Sequence, residues 1–245
     1  MANFVLVHGA WHGGWCWRDV VRELAAPANA VHAVTLTGLG ERAHLMSPLI
    51  TLETHIADVA GTIEANELDD IVLAVHSYAG MIGTAVADRM PGRIRHLVYV
   101  DAVVPRPGES WSSTQASATR EARLAAAQAS PDYSFPAPGP EAFGLTGEGA
   151  EWYRRRATPH PGHTYQAPLD FDPKRVAGIA RTFVDCNQPA LATIDAIRAR
   201  VRDPAFWDGA WAGGAGARIV EMATGHDPMI TLPTELAALL RGCAA

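Results

Sequence analysis

Three short stretches carry residue types that together could attack a carbonyl group. The apolar run IVLAV at 71–75 is followed by His76 and Ser77 and then by a helix-like stretch, so Ser77 lies at a strand-to-helix turn. A glycine-rich loop, HGAWHGG, follows the first apolar run, and His226 follows the last one, in ATGHDPM. A serine hydroxyl becomes a nucleophile when a neighbouring base takes its proton, and histidine is the usual base.

Acyl transfer at Ser77 also requires groups that stabilise the oxyanion of the tetrahedral intermediate. Backbone N–H groups do this best, and the pattern predicts the N–H groups of Tyr78, directly after the serine, and Ala10, in the first loop. Trp11, His12 and Trp111 are predicted to line the substrate pocket. This chemistry needs no metal ion and no organic cofactor.

The turn around Ser77 departs from the usual G-x-S-x-G pattern, because Val75 and Ala79 occupy the two glycine positions. The turn is sharp and brings the helix close to the strand, so small residues are favoured there. Ala79 adds one methyl group, and Gly80 follows it. Val75 is β-branched, and we expect it to push on the helix or on a neighbouring strand.

The elements around these stretches alternate between strands and helices. Apolar runs predict strands at 4–7, 31–36, 71–75, 94–102, 180–186 and 217–222, and apolar residues with helical spacing lie between most of them. The order predicts an α/β fold with a mostly parallel sheet and helices on both faces. The core is assigned to 1–104 and 176–245. The proline-rich stretch 105–175 is assigned to an inserted lid over the strand ends.

The stretches FVLVHGAWHGGWCW and GHDPM, together with the serine turn, resemble the α/β-hydrolase superfamily. The resemblance is closer to its small esterase branch, which includes plant methyl esterases, hydroxynitrile lyases and bacterial carboxylesterases with LTGLGERAHL. It extends over almost the whole chain and is weakest in the lid. It implies a serine carboxylesterase that acts through an acyl-enzyme on a small, uncharged and largely apolar ester.

The acid of the catalytic triad is ambiguous in the sequence. The family places an aspartate shortly after the next-to-last strand, where this chain has Pro189 in DCNQPAL. Two aspartates preserve the order serine, acid, histidine: Asp101, at the end of LVYVD, and Asp185, within RTFVDC. Asp101 is favoured, because a carboxylate at the carboxyl end of a strand faces the site. Asp185 remains the alternative, and Asp101 as a structural cap is a third interpretation.

Two other functions stay open at this point. One is a lyase, decarboxylase or cyclase that uses the same pocket. A hydroxynitrile lyase of this branch needs a lysine close after the histidine and a threonine in the first loop, and this chain has Asp227 and Gly9 there. The other is a ligand-binding protein without catalysis. It is supported by Pro189 at the expected acid position and disfavoured by the presence of both Ser77 and His226.

The composition argues against some classes of binding partner. The net charge is -6, which argues against nucleic acid, and no apolar run is long enough to span a membrane. The chain starts directly with a strand and without a basic leader, so we expect a cytoplasmic protein whose partner is a small-molecule ester. His160 and His163 are assigned to packing rather than to a metal site. Monomer and homodimer are equally compatible with the sequence.

Overall fold

The fold is described from a computed structural model that covers residues 2–211 and 216–245. The first part of the chain alternates strands and helices, as its apolar periodicity predicts. Its elements, in chain order, are β1 (Ala2–Val7), α1 (Arg18–Leu24), β2 (Asn29–Val34), α2 (Leu52–Ala65), β3 (Ile71–His76), α3 (Ala79–Arg89) and β4 (Ile94–Val100).

Between β4 and the next strand of the sheet, the chain forms only short elements. Their bounds are β5 (Glu109–Ser110), α4 (Ser117–Ala129), β6 (Ser134–Phe135), α5 (Gly147–Arg154), β7 (His160–Pro161), α6 (His163–Gln166), β8 (Pro168–Leu169) and α7 (Pro173–Val176). The short strands pair with one another, β5 with β8 and β6 with β7, outside the main sheet. We call residues 105–175 the insert segment. Its function as a lid stays a prediction.

The chain then returns to the sheet. The remaining elements are β9 (Ala180–Cys186), α8 (Asp195–Arg202), α9 (Pro204–Ala210), β10 (Arg218–Met222), α10 (Pro228–Thr231) and α11 (Pro233–Cys243). The sequence patterns predicted β9, β10 and α11 but neither α8 nor α9. No helix of the described residues is both long enough and apolar enough to cross a membrane.

The main sheet of the described chain has six strands in the order β10-β9-β4-β3-β1-β2, and every pairing is parallel. This confirms the predicted α/β class. Because the strands are parallel, their carboxyl ends lie at one edge, and the residues that follow β1, β3 and β4 meet there. Those residues are His8, Ser77 and Asp101.

Strand side chains alternate between two hydrophobic cores. In β1, Phe4 and Leu6 pack on the face covered by α1 and α11, while Val5 and Val7 pack on the face covered by α2 and α3. Burial on both faces explains why these strands read as continuous apolar runs rather than as alternating patterns. The two covered faces fix the sheet rigidly, so the polar residues at its carboxyl edge are held in place.

Candidate active site

Ser77 lies in a strained turn between β3 and α3. Its φ of 54° is in the left-handed region, which non-glycine residues seldom adopt. Two backbone hydrogen bonds hold the turn: the N–H of Ser77 donates to the carbonyl of Val100 at 3.2 Å, and the carbonyl of Ser77 accepts from Val103 at 3.0 Å. The side chain is 8% exposed, so solvent reaches an otherwise buried serine.

Three glycines outside the two usual positions allow the close packing of the backbone at this turn. A Cβ on Gly9 would lie 2.7 Å from Cβ of Ser77, and a Cβ on Gly80 would lie 1.9 Å from the carbonyl oxygen of Val103. A Cβ on Gly83 would lie 2.6 Å from Cγ1 of Val75. The valine therefore fits because α3 carries a glycine where it faces the valine, and the close approach of strand and helix is kept.

His226 receives its orientation from Asp101. Nδ1 of His226 lies 2.7 Å from Oδ2 of Asp101, and both side chains are buried. A carboxylate at Nδ1 accepts a hydrogen bond from the N–H there, which keeps the proton on Nδ1 and leaves Nε2 free to accept another proton. The insert segment also holds His226. The backbone N–H of His226 donates to the carbonyl of Phe143 at 3.0 Å, and the Phe143 ring stacks on the imidazole with the ring centres 5.5 Å apart.

Arg198 of α8 supports Asp101 from behind. One guanidinium nitrogen donates to both oxygens of Asp101, at 2.8 and 2.9 Å, and a second nitrogen donates to Asp185 at 2.7 Å. Burial by itself would lower the pKa of Arg198, but Asp101 and Asp185 outweigh it and raise that pKa. The guanidinium therefore carries a permanent charge that balances the two buried carboxylates.

Among the described residues, no hydrogen bond joins Asp185 to His226. The two oxygens of Asp185 accept from Arg198 and Arg202 instead. Asp185 lies within β9, and a carboxylate buried inside a strand needs such partners to offset the loss of hydration. Of the two aspartates that the sequence offered, the structure brings Asp101 to the histidine and pairs Asp185 with arginines.

The glycine-rich loop after β1 runs beside the Ser77 turn. Ala10 is buried, and the next residue, Trp11, has a φ of 65°. The carbonyl of Trp11 accepts from the N–H of Thr158 at 3.0 Å, which ties the loop to the insert segment. Tyr78 directly precedes α3, where backbone N–H groups lack partners within the helix. The N–H groups of Ala10 and Tyr78 thus belong to the two turns that flank Ser77.

A cluster of aromatic rings lies against Tyr78, the residue that follows Ser77. The rings of Trp11 and Trp111 lie 6.1 Å apart, and Trp111 also contacts Tyr78 at 5.0 Å. The Tyr78 hydroxyl pairs with Nδ1 of His55 at 3.1 Å. Nε2 of His55 lies 2.9 Å from the carbonyl of Thr37, to which it donates, so Nδ1 accepts from the tyrosine. The predicted pocket residues Trp11 and Trp111 therefore lie together above the turn.

His12, also predicted for the pocket, pairs with Asp227. Its Nε2 lies 3.2 Å from Oδ2 of Asp227, while Nε2 of His76 lies 3.4 Å from Oδ1. Burial alone would lower the pKa of His12, but the Asp227 charge outweighs it and raises that pKa above its ordinary 6.5. Burial alone would raise the pKa of Asp227, but the interactions with His12 have a larger effect and lower that pKa to about 2. Burial, with His226 nearby, keeps the pKa of His76 well below 6.5.

The donor atoms of His12, His76 and Asp227 lie within 4.8 Å of one another, which would suffice for a metal ion. The raised pKa of His12 favours its charged form, which supplies a positive charge beside Asp227 without an ion. His160 and His163 separate: Nε2 of His160 pairs with the Thr164 hydroxyl at 2.8 Å, and His163 stacks on the ring of Tyr133 at 4.1 Å.

Comparison with known proteins identifies the family. The model of the alpha/beta hydrolase family matches residues 4–239. The chain belongs to the alpha/beta hydrolase family. It is 40% identical to a carbendazim hydrolyzing esterase from Nocardioides sp. (strain SG-4G), over 98% of each chain. It is 25% identical to methylesterase 7 of Arabidopsis thaliana, over 97% of this chain and 94% of the relative.

Solved structures agree with this assignment of the fold. An extracellular alpha/beta-hydrolase from a Paenibacillus species superimposes with a TM-score of 0.81 at 21% identity, over 99% of both chains. The structure of polyneuridine aldehyde esterase gives a TM-score of 0.73 at 18% identity, over the full length of both chains. At these identities the likeness concerns the fold, which the alternation of strands and helices along the sequence indicated.

The sequence patterns gave no indication that three residues of this alpha/beta hydrolase site make the contacts described above. Arg198 lies in a helix with three arginines, a pattern typical of a solvated surface. Asp227 was noted only because it is not a lysine. Phe143 lies in the insert segment, where periodicity is weakest. A usable signal existed for Arg198 alone: a buried aspartate in β9 and another after β4 require a cation nearby.

Proposed function

We propose that this protein is a serine carboxylesterase in which Ser77 is the nucleophile, His226 the base and Asp101 the acid of the triad. The single observation that supports this most is the 2.7 Å contact between Nδ1 of His226 and Asp101 beside the strained Ser77 turn. The identity of 40% to an esterase over nearly the full chain supports the reaction class.

The proposed reaction begins when the hydroxyl oxygen of Ser77 attacks the ester carbonyl and its proton moves to Nε2 of His226. The N–H groups of Ala10 and Tyr78 donate to the oxyanion of the tetrahedral intermediate. When the intermediate collapses, His226 gives its proton to the departing alcohol and an acyl-enzyme remains. A water molecule, deprotonated by His226, then attacks the acyl carbon. The bond from that carbon to the Ser77 oxygen breaks, His226 returns its proton to the serine, and the acid is released.

The surroundings of Ser77 favour a small, uncharged and largely apolar ester. Trp111, Phe135 and Phe143 pack around Trp11 in the loop beside the turn, and Phe143 also stacks on His226, so these rings offer apolar faces near the serine. Asp101 and Asp227 are both balanced by cations within the protein, so neither attracts a charged substrate. The reaction as proposed uses only side chains and backbone N–H groups of this chain.

Hydrolysis of p-nitrophenyl acetate tests the proposal. We expect Ser77→Ala to lower kcat by about 10⁴-fold or more, because the nucleophile acts as a unit with its base. A fluorophosphonate should label the wild-type protein stoichiometrically and should not label Ser77→Ala. Ser117→Ala, at the exposed start of α4, is the matched control and should keep both activity and labelling. Equal rates for wild type and Ser77→Ala would refute the mechanism.

A further inference from the structure

Arg123 of α4 lies over the aromatic rings next to the proposed active site. Its guanidinium carbon is 5.2 Å from the ring centre of Trp11, 5.0 Å from Trp111, 5.4 Å from Tyr165 and 6.0 Å from Phe135. Each ring attracts a cation through its negative face. The aromatic cluster against Tyr78 therefore holds a guanidinium at its outer side.

One nitrogen of this guanidinium has no hydrogen-bond partner among the described residues. This nitrogen, Nη1 of Arg123, is buried. None of the ion pairs in residues 2–211 and 216–245 includes Arg123. An arginine has five N–H donors, and a buried donor without an acceptor costs free energy. Burial lowers the pKa of Arg123, although Tyr165 opposes this.

A cavity opens directly at Arg123. It has a volume of about 550 Å³, and Arg123 is the charged residue of its lining. Trp11 and Phe135 form one wall, and the alanine-rich face of α4 forms another. The volume falls within the range of small-molecule sites. Trp11 lines this cavity and also packs on Trp111, whose ring centre lies 5.0 Å from that of Tyr78, the residue after Ser77. Two aromatic rings therefore connect the wall of the cavity to the serine turn.

We propose that Arg123 and the rings of Trp11 and Phe135 form a subsite for the distal part of the substrate, a planar aromatic group that carries a hydrogen-bond acceptor. This inference rests on the proposed esterase function. The rings stack on the planar group, and the guanidinium donates to a carbonyl or carboxylate oxygen on it. The preference for an uncharged, apolar ester concerns the groups next to Ser77. At this distal subsite a carboxylate binds most tightly, because it accepts two parallel hydrogen bonds and supplies the missing countercharge.

Binding to the Ser77→Ala protein separates this subsite from catalysis. Three methyl benzoates serve as probes, with a methyl, a carbamoyl or a carboxylate group at position 4, and calorimetry gives Kd for each. We expect the carbamoyl and carboxylate probes to bind about tenfold more tightly than the methyl probe, since hydrogen bonds to a charged donor are strong. In Ser77→Ala/Arg123→Met this preference should fall to near onefold.

Two further variants distinguish recognition from packing. Arg123→Lys keeps the charge without the planar fork, so it should retain part of the carboxylate preference and lose the carbamoyl preference. Arg120→Met, one turn earlier on α4, is the matched control and should keep both preferences. If Arg123→Met fails to fold, as judged by its Tm, the Arg123→Lys result decides the question.

The proposal is overturned if the Kd ratios are the same with and without Arg123, or if no probe with an acceptor binds more tightly than the methyl probe. Its failure differs from failure of the proposed function. Loss of the Arg123 effect would leave Ser77-dependent hydrolysis of p-nitrophenyl acetate intact. Absence of that hydrolysis would refute the esterase mechanism whatever the Kd ratios are.

Discussion

Two buried carboxylates lie close to His226 and are balanced in different ways. Asp101 follows β4, far from the histidine in sequence, and contacts its Nδ1, while the permanent charge of Arg198 supports it. Asp227 directly follows His226, yet it turns to His12 and His76. The difference shows that the topology of the sheet, not adjacency in the chain, decides which carboxylate contacts Nδ1 of His226, the proposed base.

The balancing cations also differ in chemistry. The guanidinium of Arg198 stays charged at every pH at which the protein folds, so Asp101 keeps the same environment. The charge on His12 depends on pH and on the presence of Asp227. We therefore expect the Asp101 cluster to determine activity, and the Asp227 cluster to contribute pH-dependent stability to the loop that carries Ala10.

The largest expected effect is a difference in activity between a variant of Asp101 and a variant of Asp227. Asp101→Asn should lower kcat/KM on p-nitrophenyl acetate by roughly 10³–10⁴-fold, because an amide no longer stabilises the imidazolium and favours the wrong tautomer. Asp227→Asn should lower it by at most about tenfold, which corresponds to about 1.4 kcal/mol. Both variants should be folded by circular dichroism. Equal losses of kcat/KM in the two variants would contradict the expectation that only the Asp101 cluster determines activity.

The next effect concerns the support of Asp101. Arg198→Met leaves two buried carboxylates without their shared cation, so we expect the free energy of unfolding to fall by about 3–5 kcal/mol. Arg202→Met is the control: it also removes a contact to Asp185, but Arg202 is 39% exposed, and the expected loss is below about 1 kcal/mol. Urea unfolding measures both. A small loss for Arg198→Met would mean that Asp101 needs no countercharge.

The smallest effect is a pH dependence that only the Asp227 cluster should show. The pKa of His12 is raised in the folded state, so its contribution to stability is complete below 6.5 and is lost as pH rises through the raised value. The pKa of Asp227 is lowered from 3.8 to about 2, so its contribution exists above 3.8 and is lost as pH falls toward 2. The pair is worth most between those limits.

We therefore expect the cost of His12→Asn in unfolding free energy to be larger at about pH 5.5 than at about pH 9, by about 1 kcal/mol. The cost of Arg198→Met should be the same at both pH values. His44→Gln, at an exposed histidine, is the control and should show neither effect. A cost of His12→Asn that is independent of pH would contradict a charged His12.

Much of this architecture was predictable because the sheet is buried on both faces. The strands that carry Ser77 and Asp101 appear as continuous apolar runs, and the residue after each run was correctly expected at the carboxyl edge. Arg198 was not predictable from periodicity, because its helix resembles a solvated surface until both carboxylates are placed behind it. The insert segment resisted prediction for another reason: its strands have two residues each, too few for a period.

The contact between Val75 and Gly83 has a consequence for sequence comparison. A Cβ at position 83 would lie 2.6 Å from Cγ1 of Val75, so the two positions share one limited volume between β3 and α3. Among relatives of this chain, we expect glycine at the position of Val75 to occur with larger residues at the position of Gly83. A search that requires glycine two residues before the serine would discard proteins with valine there, as in this chain, whereas a search for a correlated pair at these positions would retain both kinds.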